Sequence, residues 1–303
     1  MIYGMNLLLW TTRVDESHLP VLESLSGMGY GLVEVPVFDI ADPRAYASLG
    51  RRIGGMGLLP SAITALNADQ NIASSDRSLR AKGEADMMRM IDCAFAMGAP
   101  SLSGPLHSAI GIFSGQGPSA SELEYSAESL AKVAAYGATA GVRLCIEPLN
   151  RFECYMMNDL ASAASYAAKI GSGATVLYDT FHAHIEEKDA AASIRAHAAS
   201  IGLVHISEND RSTPGQGQVR WSETFDALRQ IGYKGPLIVE AFGLALPELS
   251  AATRIWRRMF SDELSLAREA LAFMQSNWVA RSDTEDESSA DDRLTGGHAS
   301  GRA

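Results

Sequence analysis

Four apolar runs in the second half of the chain each end on a side chain that binds metals or moves protons. Cys145-Ile146 closes on Glu147, Thr175-Val-Leu-Tyr178 on Asp179, Gly202-Leu-Val204 on His205, and Pro236-Leu-Ile-Val239 on Glu240. A lone acid at a strand end is commonly a helix N-cap or a solvated rim group. Four metal-competent side chains at the same relative place in four successive strand-like runs point instead to one shared site. Two glutamates, one aspartate and one histidine suit a single divalent ion. Carboxylate oxygens favour Mg²⁺ and Mn²⁺, and an imidazole adds affinity for Mn²⁺, Co²⁺ or Zn²⁺. Glu147 and Glu240 come from strands three places apart in an eight-stranded ring, so they can reach a ligand from different sides. Such a pair can take a proton from one face of a carbon and return one to the other. An ion held by the same acids would polarise a carbonyl and stabilise the enediolate formed on deprotonation. The plainer alternative makes both glutamates ligands of a structural ion.

Strands that deliver side chains at their C-terminal ends belong to a parallel, buried sheet. The rest of the chain supplies one. Strand-like segments at 5–10, 31–36, 58–65, 100–104, 142–146, 175–179, 202–205 and 236–240 alternate with helix-like segments. The helices are expected at 17–28, from Asp42-Pro43, at 76–97 and 121–140, from Asn158-Asp159 to Gly171, at 186–199, from Trp221, and at 262–275. Eight strands alternating with eight helices predict a single (β/α)₈ TIM barrel over residues 1–280. Residues 281–303 carry six acids against three arginines, with much Ser and Gly, and are expected to be a disordered tail.

The chain has 303 residues, 47% of them hydrophobic and 20% charged, enough for one large core rather than two domains. A net charge of −11 opposes a nucleic-acid partner, whose phosphates it would repel, and is compatible with a neutral small substrate. Cys93, Cys145 and Cys154 are odd in number and lack zinc-ligand spacing, which predicts reduced thiols in the cytoplasm. The first residues lack the basic and apolar regions of a signal peptide. No apolar run approaches the roughly 18 residues of a membrane span, so no membrane partner is expected.

The segments Ile146-Glu-Pro-Leu-Asn-Arg-Phe-Glu153, Asp179-Thr-Phe-His-Ala-His-Ile-Glu-Glu187, His205-Ile-Ser-Glu-Asn-Asp-Arg211 with Pro214-Gly-Gln-Gly217, and Val239-Glu-Ala-Phe242 resemble the ketose 3-epimerase family. That family, of the D-tagatose/D-allulose and L-ribulose type, falls within the xylose-isomerase-like barrels, and the likeness runs from about Met5 to Met274. The resemblance implies that Glu147, Asp179, His205 and Glu240 bind one ion, Mn²⁺ foremost, with Co²⁺ or Mg²⁺ as alternatives. It implies that Glu147 and Glu240 are the acid/base pair at C3 of a free ketose, acting through a cis-enediolate. It places Glu153, His182 and Arg211 on the oxygens at C1 to C3, and it implies a homodimer or homotetramer.

Other residues carry two readings. Glu34, at the end of the second strand, could bind a sugar hydroxyl or form a salt bridge within the barrel. Arg211 could hold an acidic neighbour rather than substrate, and His184 reads as an exposed loop histidine rather than a second contact. Trp10 and residues 63–66 suggest an apolar wall, or rim packing. Trp221 reads as the anchor of its helix. His107 lies in the long loop 105–118, whose pattern departs from members with established ketose activity and leaves the contacts to the substrate's distal end open. Gly215-Gln-Gly217 follows the seventh strand, where barrels often hold phosphate, although two glycines are weak evidence for that.

Competing functions share the scaffold. An aldose-ketose or hydroxypyruvate-type isomerase would use the same metal site and return the proton to the neighbouring carbon. The set of His205, Glu153, His182 and Arg211 favours the epimerase. A metal nuclease would need several ions and a basic groove, a dehydratase would release water, and a binding protein has no use for four aligned ligands.

Overall fold

The computed structural model describes residues 1–279. Eight parallel strands close into a barrel: β1 Tyr3–Asn6, β2 Leu32–Pro36, β3 Leu59–Ile63, β4 Ser101–Gly104, β5 Arg143–Ile146, β6 Ala174–Asp179, β7 Ile201–Ile206 and β8 Leu237–Val239. Each strand pairs with the next, and β8 returns to β1 through Met5 opposite Val239. The first helices are α1 Leu19–Met28, α2 Pro43–Gly55, α3 Arg77–Met97, α4 Ala120–Ala140 and α5 Leu160–Ile170. They are followed by α6 Thr180–Glu186, α7 Ala190–Ala196, α8 Trp221–Gln230, α9 Pro247–Ala252 and α10 Glu263–Val279. The TIM barrel expected from the alternation is the observed fold. The expected disordered tail, 281–303, lies outside the described residues.

The helices start where local chemistry supplies a cap. Asp42 precedes Pro43 and accepts from the Arg44 amide, Asp76 accepts from Ser78, and Ser119 forms a reciprocal capping box with Glu122. Their apolar faces, such as Met87, Met90, Ile91 and Ala94 of α3, pack against the outward side chains of the strands in one continuous core.

The barrel interior is built in layers with the two-residue period of a strand. Leu32, Cys145, Leu177, Leu203 and Ile238 form a separate apolar cluster inside the ring. Two residues further along the same strands come Glu34, Glu147, Asp179, His205 and Glu240, all buried. The apolar layer seals the barrel beneath, and the polar layer above it opens toward the βα loops. On β1 the position below Asn6 is Gly4, where a Cβ would lie 2.7 Å from Leu32 Cδ2 and 2.9 Å from Ile238 Cγ1. The lower layer therefore has no room for a side chain at that point.

Three expectations are corrected. The first strand stops at Asn6 rather than at residue 10, because the Asn6 side chain accepts from the Leu8 amide and turns Leu7–Leu9 into a 3₁₀ helix. The helix expected at 186–199 is the shorter α7, and a further helix that was not anticipated, α6, precedes it. Asp179 caps α6 directly at the strand end, and Asp189 accepts from the Ala192 amide to start α7. Helix α9, between β8 and α10, was not anticipated; Pro247 at its first turn fixes its start.

Candidate active site

The four strand-end residues meet. One ligand atom from each of Glu147, Asp179, His205 and Glu240 lies within 4.8 Å of the others, and all four side chains are buried. Strand register brings them together: Asp179 is directly opposite His205, and the Glu240 amide donates to the Ile206 carbonyl at 3.3 Å. On the other side the Glu147 amide donates to the Gly104 carbonyl at 2.9 Å. Gly104 has φ of 123°, and a Cβ there would lie 2.0 Å from the Thr64 carbonyl oxygen, so this close passage of backbone requires glycine.

Two atoms in the cluster are orphans. His205 Nδ1 and Glu147 Oε1 are buried without a hydrogen-bond partner. His205 Nδ1 is 3.6 Å from Asp179 Oδ2 and 3.5 Å from Glu240 Oε1, while its Nε2 donates to Glu34 at 2.8 Å. Buried polar groups without partners are costly, and one cation between these atoms would satisfy both. The donor set of three carboxylates and one imidazole therefore fits a divalent ion.

Electrostatics agree with that fit. Burial, reinforced by the Glu240 and Asp179 carboxylates, pushes Glu147 well above the usual carboxylate range. Burial alone would lower His205, but the Glu34 and Glu240 carboxylates outweigh it and raise the imidazole well above its ordinary value. Asp179 falls well below its ordinary value against the opposing effect of burial, through His205, His182 and Arg211. Its Oδ1 also accepts from the Phe181 and His182 amides at 2.6 and 3.3 Å, and its Oδ2 from Ser207 Oγ at 2.9 Å.

The three residues expected near the substrate lie against this cluster. Arg211 Nη1 is 2.6 Å from Glu240 Oε2 and 3.6 Å from Asp179 Oδ2, and its Nη2 is 3.6 Å from Glu153 Oε1. The guanidinium stacks 3.9 Å from the Phe181 ring centroid and 4.9 Å from that of Phe242. Its backbone holds φ of 64°, a left-handed conformation uncommon outside glycine, pinned by bonds from Arg211 N to the Glu208 carbonyl and from Phe242 N to the Arg211 carbonyl. Of the two readings of Arg211, the pairing with acidic neighbours is the one observed, and two of those neighbours, Asp179 and Glu240, belong to the cluster. His182 Nδ1 accepts from the Asn150 amide at 2.9 Å, so in the neutral ring Nε2 carries the proton. Burial, with Arg211 beside it, pushes His182 down to about 4, which keeps that ring neutral. Its Nε2 is 3.5 Å from Glu147 Oε1 and 3.1 Å from Arg211 Nη2. Asn150 Nδ2 also holds Glu153 Oε1 at 2.9 Å, and Arg211 and His182 draw Glu153 below the usual carboxylate range although burial opposes them.

The residues left with two readings separate cleanly. Glu34 forms the salt bridge within the barrel, at full burial. His184 is exposed, as expected, but sits on α6 rather than in a loop. Trp221 anchors its helix by donating from Nε1 to Glu208 and packing edge-on against Phe273. Trp10 is half-buried against the main core, whereas Ile63 joins Leu8, Phe242 and Ile255 in an apolar cluster of its own at the strand ends. His107 is buried, with Nε2 3.1 Å from the Glu147 carbonyl and Nδ1 3.0 Å from Ser108 Oγ, so it supports the backbone of Glu147. Gly215 and Gly217 turn the loop after β7 around a protein carboxylate: Glu208 accepts from the amides of Asn209, Gly215 and Val219 and from Trp221. The Gly215 and Val219 amides are thereby engaged by this carboxylate.

Sequence reasoning missed Asn6, Asn150 and Ser207, polar residues that position the others. The two-residue period was the available signal for Asn6, which pairs directly with Glu34.

Comparisons with known proteins agree with the geometry. A family model described as a xylose isomerase-like TIM barrel matches residues 22–276. An L-ribulose 3-epimerase of Mesorhizobium japonicum is 32% identical over 275 residues, covering 89% of this chain and 92% of that protein. A D-psicose 3-epimerase of Agrobacterium fabrum is 28% identical over 282 residues, covering 90% and 98%. The crystal structure of a D-allulose 3-epimerase from Methylomonas sp. in complex with D-allulose has a TM-score of 0.85 at 28% identity, over 91% of this chain and 97% of that one. With two thirds and more of the chain matched in each case, this protein belongs to the xylose isomerase-like TIM barrels and, among them, to the ketose 3-epimerase family.

Proposed function

We propose that this protein inverts C3 of a free ketose by moving a proton between that carbon and the carboxyl groups of Glu147 and Glu240, with one divalent ion held by Glu147, Asp179, His205 and Glu240. The observation that carries the proposal is the cluster itself: two glutamates from opposite parts of the ring share one buried centre with a histidine and an aspartate. A bound ion supplies positive charge that polarises the ketose carbonyl and lowers the cost of the enediolate.

The remaining chemistry belongs to the chain. Glu240 is oriented at both oxygens, Oε1 by Asn6 Nδ2 at 3.0 Å and Oε2 by Arg211 Nη1 at 2.6 Å. Glu147 keeps Oε1 free of hydrogen bonds. One carboxyl takes the C3 proton and the other delivers a proton to the opposite face; the reverse reaction exchanges their roles. His182 offers an Nε2–H, Arg211 a guanidinium and Glu153 an acceptor, a set matched to the hydroxyl and carbonyl oxygens at C1 to C3. The engagement of the Gly215–Gly217 turn with Glu208 supports a non-phosphorylated substrate. The same reading takes Mn²⁺ as the ion, the cytoplasm as the setting of the buried thiols Cys93, Cys145 and Cys154, and a homodimer or homotetramer as the assembly.

Incubating D-psicose, D-tagatose or L-ribulose with the protein and Mn²⁺ in D₂O tests the reaction. Epimerisation places deuterium at C3 of substrate and product. Label at C1 with an aldose product identifies the isomerase and overturns the proposal.

A further inference from the structure

Glu34 and Asn6 touch none of the expected substrate contacts, yet they are among the most enclosed polar groups in the barrel. Every atom of the pair is committed. Asn6 Oδ1 accepts from the Leu8 amide at 2.9 Å, which fixes the orientation of the amide group and turns Nδ2 into the ring. The two Nδ2 hydrogens are then spent on Glu34 Oε2 at 3.1 Å and Glu240 Oε1 at 3.0 Å. Glu34 Oε2 also accepts from His205 Nε2 at 2.8 Å. Glu34 Oε1 accepts from Ser103 Oγ at 2.7 Å, with Ser61 Oγ at 3.4 Å. Strand register places these partners side by side, with Asn6 opposite Glu34 and Glu34 opposite Ser61.

We infer that Glu34 and Asn6 are positioning residues of the metal centre: Glu34 holds His205 with its proton on Nε2 and its Nδ1 lone pair toward the ion, and Asn6 ties that carboxylate to Glu240. The inference rests on the metal reading given above. Its physical basis is tautomer choice. A neutral imidazole binds a metal through only one nitrogen while the other keeps its proton, and a carboxylate accepting that proton decides which nitrogen is free. Here the nitrogen facing Glu34 has a partner and the nitrogen facing Asp179 and Glu240 has none. The Asn6 bridge adds a coupling. The side chain that orients a ligand histidine and the glutamate expected to move the C3 proton are held by the two hydrogens of one amide, so a shift of one pulls on the other.

The test compares wild type with Glu34→Gln, Glu34→Leu and Asn6→Leu, each titrated with Mn²⁺ by the EPR signal of the free ion. Loss of an outer-shell partner weakens metal binding by about 10–100-fold. Glu34→Leu should show that loss, Glu34→Gln a smaller one because its amide oxygen can still accept from Nε2, and Asn6→Leu a loss accompanied by lower turnover. A merely structural role would not move the tautomer. Long-range ¹H–¹⁵N spectra of Zn²⁺-loaded protein, with His205 assigned by the signals lost in His205→Asn, should show an Nε2–H ring in wild type and Glu34→Gln. They should show a mixed or reversed ring in Glu34→Leu. If Glu34→Leu does not fold, the ordering of affinities among wild type, Glu34→Gln and Asn6→Leu decides the question in the same way. Wild-type affinity and an unchanged Nε2–H ring across the folded variants would overturn the inference alone, whereas a wild-type protein that takes up no ion overturns the metal reading beneath it.

Discussion

Loading a divalent ion into this site should release protons. Two of the four proposed ligands hold their protons more firmly than usual. Glu147 is raised by burial and by the neighbouring Glu240 and Asp179, and His205 is raised by Glu34 and Glu240 in spite of burial. Both must be deprotonated at the ligating atom before they can bind a cation. Each proton that leaves offsets part of the positive charge brought in by the ion, which limits the bare charge created in the buried cluster. The sign follows from the direction of the shifts. Raised groups keep their protons as pH increases past the ordinary range, so protons compete more strongly at lower pH and metal affinity rises with pH. The dissociation constant should fall by about one power of ten per pH unit for each proton displaced. Calorimetric titration of Mn²⁺ in buffers with different ionisation enthalpies reads the proton count directly, and repeating it across neutral pH gives the slope. A proton count near zero with an affinity independent of pH would refute the reasoning, because neither Glu147 nor His205 would then be giving up a proton to the ion.

Glu240→Gln should lower turnover by about 10²–10⁴-fold, the usual contribution of a general acid or base, in protein kept saturated with Mn²⁺. Loss of deuterium incorporation at C3 in the Mn²⁺-saturated variant is the expected pattern, and near-normal exchange would reduce Glu240 to a ligand. Glu208→Leu should destabilise the fold by about 3–5 kcal/mol, since a buried carboxylate that satisfies several donors is replaced by a group that satisfies none. Urea denaturation checks this, and an unchanged midpoint would contradict the role given to Glu208 in holding the Asn209, Gly215 and Val219 amides.

The cluster of Glu147, Asp179, His205 and Glu240 was legible in the sequence because it obeys a local rule. Each member follows an apolar run, and each sits two residues beyond an inward-facing residue such as Leu177 or Ile238. The barrel was legible for a related reason, since caps such as Asp76 and Ser119 mark their helices within a few residues. What stayed hidden depends on partners far apart in the chain. Glu34 could not be assigned between sugar and barrel, because its histidine lies 171 residues away. Asn6 was absorbed into a strand expected to run to residue 10, and only the 3₁₀ turn reveals that its side chain serves as both cap and bridge. Helix α6 was hidden because Asp179, read as a ligand, also caps a helix. Arg211 was ambiguous for a chemical reason: a guanidinium suits an acidic neighbour and a substrate oxygen equally, and its acidic partners Glu153 and Glu240 lie 58 and 29 residues away.

The most direct measurement is an anomalous difference map at the manganese edge from crystals soaked in Mn²⁺ and a slowly turned-over ketose. One peak coordinated by Glu147, Asp179, His205 Nδ1 and Glu240, with C3 of the sugar between the two glutamates, is the predicted result. A peak elsewhere, or a sugar whose C3 faces only one of those carboxylates, would contradict it.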